Sequence, residues 1–295
     1  MDSKAPHKYE YQIDPESDSA GARVLGLVGR NKTVLELGAG PGSMTRHLVT
    51  GLGCDVVAIE SDRSALESLS RMARSVHELD LNSADWDIEI AKREGRFDAV
   101  IAADVLEHLV NPRAVLGKMK NLLNDSGAIV LSLPHVGHSA IAACLMDEDF
   151  DYRDWGLLDR THIRFFGLKN IEALHAEEGL AIEEAFFVVR TPEMTEFCQR
   201  WRRLPKSVRR VLGRNRFGNV YQVVTRAVPR ARARRSIRLL ELPVMAPAAE
   251  IGKYWEDLMS SMPAPEGSDP TSTIADAPRN PGLFARLWRG HRTSG

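Results

Sequence analysis

Glycines and acids stand at the ends of apolar runs in the first half of this chain, and their spacing suits the binding of an adenosine-like ligand. The segment VLELGAGPGSMTRHL carries an apolar run over 34–37 straight into Gly38, Gly40 and Gly42, and an amphipathic stretch follows. Glycines so placed let the backbone turn sharply and let a ligand come into contact with it. A G-x-G-x-x-G dinucleotide fingerprint counted from Gly38 needs its third glycine at position 43, which is Ser43. The loop reads E-x-G-x-G-x-G instead, with Glu36 inside the run. A carboxylate ahead of the loop suits a ligand with an amino group or other positive charge better than a pyrophosphate. Three further acids end later apolar runs. Glu60 is placed for both ribose hydroxyls of an adenosine, Asp80 for an adenine amino group, and Asp104 closes the fourth run.

These acids share an edge only if the runs are parallel strands. TVLEL, DVVAIE, SVHEL, FDAVIAA and AIVLSL are short and β-rich, while RHLVTGL, RSALESLSRMAR and RAVLGKMKNLLN between them carry apolar residues at helical spacing. DSAGARVLGLVG (18–29) predicts a short helix closed by glycine, and Asn111-Pro112 is a helix start. Strands alternating with helices predict a parallel sheet covered on both faces, with ligands bound at the strands' carboxyl ends. Beyond Pro134 a looser stretch leads to a helix (LKNIEALHAEEGL) and two more strands, AIEEAFFVV and NVYQVVTRAV.

As a set these residues resemble the motifs of class I S-adenosylmethionine-dependent methyltransferases. The resemblance implies an α/β, Rossmann-like sheet of seven mostly parallel strands with helices on both faces and one antiparallel strand near the end. It implies S-adenosylmethionine as cofactor: Glu36 with the loop of Gly38, Ala39, Gly40 and Gly42 at the methionine part, Glu60 and Ser61 at the ribose, Asp80 and Leu81 at the adenine, and Asp104 completing the set. Mere capping or salt bridging by Glu36 and Asp80 is the plainer reading. The corresponding division is an N-terminal segment and helix (1–30), a methyltransferase domain (31–228) with a cofactor half (31–135) and an acceptor half (136–228), a basic, helical extension (229–262), and a disordered linker with a short amphipathic end (263–295).

Methyl transfer to a hydroxyl needs the nucleophile held in line and its proton removed. DVLEHL supplies Asp104, Glu107 and His108 at the right edge, and a histidine is a suitable base near neutral pH. Packing against the cofactor loop is the competing role for His108. The stretch lacks an Asn-Pro-Pro-Tyr motif, which shifts the acceptor toward oxygen or carbon, and it also resembles quinone-biosynthesis O-methyltransferases. GLLDRTHIRFF (156–166), preceded by LPHVGH, is similar to methyltransferases of bacterial polysaccharide and glycoside pathways, with His135 where that group has asparagine. By that likeness Asp159, Arg160, Thr161, His162 and Arg164 line the acceptor side and His162 is the rival base. A turn packing Phe165 and Phe166 into the core is the structural alternative. His135, His138 and His162 match no familiar metal spacing, and no carboxylate ligand is evident beside them, so no metal is expected.

The function expected is O-methylation of a sugar or glycan-precursor hydroxyl. The alternatives are a quinone or phenolic acceptor and a non-catalytic cofactor-binding scaffold. Composition is that of an ordinary globular protein: 295 residues, 43% hydrophobic and 27% charged, exclude wholesale disorder and collagen-like or disulfide scaffolds. Three separated cysteines without a CxxC pair, and an N-terminus without an apolar core, predict a cytoplasmic protein. Net charge is −1, yet residues 200–238 hold thirteen Arg and one Lys with no acid, a segment of +14. That block predicts either a solvated basic face or peripheral contact with an anionic membrane or phosphate-bearing acceptor. Nucleic acid is the weakest of the polyanions, because aromatic interleaving is missing. At the far end Leu283, Phe284, Leu287 and Trp288 would share one face of a helix, a candidate interfacial anchor.

Overall fold

Short β-rich runs separated by amphipathic helices assemble into one seven-stranded sheet in the computed structural model, which describes residues 10–245. The strands are β1 (Thr33–Leu37), β2 (Asp55–Glu60), β3 (Ser75–Glu78), β4 (Phe97–Ala103), β5 (Leu123–Pro134), β6 (Leu180–Val189) and β7 (Val220–Pro229), in the order β3-β2-β1-β4-β5-β7-β6. The first five pair in parallel; β7 runs antiparallel to both β5 and β6. The expected architecture, including the antiparallel strand near the end, is the one observed.

The helices are α1 (Ala20–Val28), α2 (Ser43–Arg46), α3 (Arg63–Ser70), α4 (Trp86–Glu94), α5 (Pro112–Asn121), α6 (Ser139–Met146), α7 (Leu168–Glu177), α8 (Cys198–Arg203) and α9 (Lys206–Leu212). Alternate side chains of each central strand feed opposite layers, as the pleat requires. Leu35, Val57, Val100 and Ile129 pack with Ile90, Leu116, Met119 and Ile171 on one face. Val34, Val56, Ile101, Val130 and Val224 pack with Val24, Leu25, Val28 and Leu48 on the other. Both faces are dry, which is why these strands read as continuous apolar runs. Local caps fix the helix starts: Ser19 accepts from the Ala22 amide at 3.2 Å, Asp62 from Ser64 at 2.8 Å and Asn111 from Ala114 at 3.1 Å.

The basic block is only in part the solvated face expected: Arg202, Arg203, Lys206, Arg210 and Arg214 are exposed, while the block also contributes α8, α9, the inner strand β7 and the turn Arg230–Arg232. Arg200 pairs with Asp147, Asp149 and Asp151, and Arg226 with Glu183 at 2.8 Å. Arg216, Arg232 and Arg235 donate to main-chain carbonyls. These five arginines therefore help hold the fold together. Among the described residues no helix is long and apolar enough to cross a membrane. Residues 1–9, the linker and the terminal amphipathic segment lie outside the described residues.

Candidate active site

β1 sits between β2 and β4, so the strand order reverses there and the connections leaving β1 and β4 diverge. Such a switch point opens a crevice at the carboxyl ends of the strands. Here it is a cleft of about 730 Å³ bordered by all four strand ends singled out in the sequence.

On the β1 side the backbone leaves the sheet through Gly38 at φ +61°, and a Cβ there would lie 2.8 Å from Val105 Cγ2, so torsion and space both demand glycine. Gly42, at φ +92°, starts α2, and a side chain on it would collide with Met72. Glu36 is buried and accepts a 2.7 Å hydrogen bond from Thr45 Oγ1. Burial pushes its carboxyl up from 4.5 to about 7, against the pull of Thr45, and the charge of Glu60 adds to the rise.

Glu60 ties the loop to β2. Its Oε2 accepts the Gly40 amide at 2.7 Å, while Oε1 accepts those of Ser61 at 2.7 Å and Asp62 at 2.8 Å. A carboxylate has about four lone-pair sites. The three amides therefore leave room for about one further donor, fewer than the two ribose hydroxyls expected from sequence. Ala39, whose amide reaches Ile59 O, lines the same wall with Ser61 and buried Leu81. Asp80 is oriented by Asn82, whose amide and side chain donate to Oδ1 at 2.8 and 3.1 Å.

Asp104 turns the chain at φ +55°, an uncommon torsion that aspartate tolerates better than most residues. Ser132 Oγ donates to it at 2.8 Å and Gln222 Nε2 reaches both oxygens at 2.9 Å. Desolvation in the cleft raises its pKa, opposed by these hydrogen bonds. Ends of β4, β5 and β7 thus meet on one carboxylate. Gln222 carries no sequence signal; it arrives because β7 pairs with β5, placing Gln222 opposite Pro134.

The acceptor side is built from the turn Leu106–His108 and the loop over 156–166. The Glu107 carbonyl accepts the amides of Ile163 and Arg164 at 2.9 and 3.0 Å, docking the loop onto the turn. His108 Nδ1 lies 3.2 Å from the Thr161 carbonyl and 3.0 Å from Thr161 Oγ1, which itself donates to Asp159 Oδ1 at 2.6 Å. His162 Nδ1 faces the Leu157 carbonyl at 3.3 Å, and its ring packs edge-on against His108 with centroids 4.7 Å apart. Buried Glu196 anchors the loop from behind, accepting the Leu157 amide at 2.7 Å and the Tyr221 hydroxyl at 3.1 Å. Sequence reasoning gave it no role. Phe166 is buried, whereas Tyr152, Ile163 and Phe165 stay exposed at the outer rim.

Glu107 is fully buried, yet neither carboxyl oxygen has a hydrogen-bond partner of normal geometry. Burial, with the charges of Asp104 and Asp159 adding, holds its pKa well above the usual carboxylate range. The histidine trio considered from sequence does not form. His135 and His138 are instead held by the carbonyls of Val220 and Arg190 at 3.0 and 2.8 Å. Burial lowers both pKa values, that of His138 to about 4. A different trio assembles: ligand atoms of Glu107, His108 and His162 all lie within 4.8 Å of one another.

The cleft residues fit S-adenosylmethionine. A buried carboxyl that gains from a neighbouring cation stands at Glu36, a glycine backbone lies open to contact, and acids follow at the β2, β3 and β4 ends. A methyltransferase-domain family model matches residues 8–185, more than half of the chain. Two ubiquinone biosynthesis O-methyltransferases are similar to part of it. That of Glaesserella parasuis serovar 5 is 31% identical over 113 residues, covering 36% of this chain and 46% of the relative. That of Xanthomonas campestris pv. campestris is 28% identical over 156 residues, covering 50% and 62%. The chain thus spans less than two thirds of either relative's length. A solved putative methyltransferase from Bacillus halodurans C-125 covers 70% of this chain, and 97% of its own length is matched, at 15% identity and a TM-score of 0.48. With the acid–glycine edge, the cleft at the β1 switch point and the family match together, the chain belongs to the methyltransferase-domain family.

Proposed function

We propose that this protein transfers the methyl group of S-adenosylmethionine to a hydroxyl of a small phenolic or quinone-type acceptor. The observation that carries the reading is the continuity of one cleft from the acid–glycine edge to the His108–His162 rim. One end suits a cationic, adenosine-bearing methyl donor, and the other offers two imidazoles to an acceptor hydroxyl. Glu36, Gly38, Ala39, Gly40, Gly42, Glu60, Ser61, Asp80, Leu81 and Asp104 hold the donor in this proposal, and His108, His162 and Asp159 serve the acceptor. Asp159 acts through Thr161, which fixes the His108 ring. Two considerations favour a phenol over the sugar hydroxyl expected from sequence. The named relatives are O-methyltransferases of ubiquinone biosynthesis, and a phenolic hydroxyl gives up its proton more readily than an aliphatic one, so the site has less to do.

The test is transfer of labelled methyl to parallel panels of dihydroxylated aromatics and sugar nucleotides, with S-adenosylhomocysteine affinity measured alongside. Label in the aromatic panel, lowered roughly 10²–10⁴-fold in His108→Gln at unchanged affinity, supports the reading. Label confined to sugars overturns the acceptor class, and cofactor binding without transfer to any panel leaves the scaffold reading in its place.

A further inference from the structure

We infer that Glu107, His108 and His162 form a binding site for one divalent transition-metal cation at the acceptor end of the cleft. Three observations converge on it. The ligand atoms of the trio lie within 4.8 Å of one another, with Glu107 Oε1 3.9 Å from His162 Nε2. Ligand atoms bound tetrahedrally at ~2.1 Å stand about 3.4 Å from one another, so the trio needs to close by no more than about 1.4 Å. Both histidines are set in the tautomer that ligation requires. His108 Nδ1 faces two acceptors, the Thr161 carbonyl and a Thr161 hydroxyl whose own hydrogen goes to Asp159, so Nδ1 carries the proton and Nε2 the lone pair. His162 Nδ1 faces the Leu157 carbonyl, with the same result. Carbonyl and carboxylate partners of this kind are the usual outer support of metal-bound histidines. Finally, Glu107 is fully buried with both oxygens lacking hydrogen-bond partners, which is costly for a carboxyl unless a cation or a proton satisfies it.

Two imidazoles and one carboxylate suit zinc, manganese or iron(II) rather than calcium or magnesium, and three protein ligands leave positions open. The role of the cation rests on the methyl-transfer reading. An acceptor with two neighbouring oxygens on its ring would reach the open positions, and a hydroxyl beside the cation loses its proton to water more easily. The oxygen lone pair then forms the new C–O bond as the S–C bond breaks, and that electron pair stays on sulfur as the neutral thioether. The substrate class this selects is the vicinal diol of an aromatic ring, or its hydroxy-keto equivalent.

The site is tested without cofactor, acceptor or turnover. The full chain, stripped with a chelator, is titrated with Zn²⁺ by calorimetry and with Co²⁺ by visible absorption. One equivalent should bind, with a ligand-field spectrum for cobalt, and affinity should fall by at least about 10²-fold in Glu107→Gln and His162→Asn. His108→Gln, on a half-exposed side chain, covers the case in which the buried variants fail to fold; S-adenosylhomocysteine affinity reports folding in all three. No saturable binding of Zn²⁺ or Co²⁺ by the unaltered chain, or equal binding in all three variants, overturns the inference. Methyl transfer that persists at full rate in the stripped, metal-free chain overturns the catalytic role and leaves the imidazoles as direct proton acceptors. Loss of the methyl-transfer reading with metal binding intact is a separate result, because the binding readouts need neither methyl donor nor acceptor.

Discussion

Glu36 is the residue whose chemistry is most exposed to experiment. With its pKa moved from 4.5 to about 7 by burial, the folded chain holds a proton there that the unfolded chain gives up. The sign follows: the group's contribution to stability is complete below about 4.5 and is lost as pH rises through about 7. At about 1.4 kcal/mol per unit the full loss is about 3.5 kcal/mol for the ligand-free protein. A sulfonium or ammonium placed beside the carboxyl reverses the preference and favours the charged form. Binding of S-adenosylmethionine between pH 5 and 7 should therefore release a proton, read as a dependence of calorimetric heat on the buffer's ionisation enthalpy. Glu36→Gln should abolish that dependence and flatten the stability profile across the same interval. Proton release that survives the substitution would place the titrating group elsewhere.

Elements explain which parts of this site could be read in advance. The loop between β1 and α2 is local: strand, acid and glycines lie within nine residues, so their spacing alone reveals them. Gly38→Ala should show how tightly that loop is set, since it forces a side chain into the left-handed region against Val105, the residue following Asp104. A loss of about 1–3 kcal/mol in urea denaturation, accompanied by weaker S-adenosylhomocysteine binding, is expected. Unchanged values for both would mean that the loop relaxes freely. The central strands β1, β2, β4 and β5 were legible because their runs are β-rich and largely buried on both faces. α4 was not: in WDIEIAKRE only Trp86 and Ile90 are buried while Ile88 is 62% exposed, so its apolar period is broken. α6 hides for the opposite reason, since SAIAACLM is apolar nearly all round and presents no polar face to mark a period. Glu196 and Gln222 were illegible because their roles depend on pairing across long sequence separations. The neighbours of Glu107 and His108 were likewise unreadable until the 156–166 loop folded onto them.

At the scale of the whole molecule, the basic extension explains how the sheet ends. β6 is its outer strand, and an open edge offers unpaired main-chain groups to any other chain. Residues 230–242 occupy part of that edge from within. The Ile237 amide donates to Ile182 O at 2.8 Å, and Arg235 Nε reaches Glu183 O at 2.7 Å. Leu239, fully buried, is fixed through its amide by Glu172 of α7, and Arg216 donates to the carbonyls of Leu240 and Leu242. Arginine is suited to this work because its planar fork reaches several carbonyls while its stem covers apolar surface. Part of the charge excess that looked in sequence like a docking face, Arg216, Arg232 and Arg235, is therefore the fastening of a strap. Leu239→Ala should cost about 2–4 kcal/mol, the range for emptying a buried leucine site, at unchanged cofactor affinity because the strap lies outside the cleft lining. A chain ending at Pro229 should go further, losing the edge cover together with the packing, and should show concentration-dependent association in sedimentation velocity that the full chain does not. If the shortened chain stays monomeric with its melting temperature unchanged, the edge needs no cover and the arginines of 230–238 are free to serve an anionic partner after all.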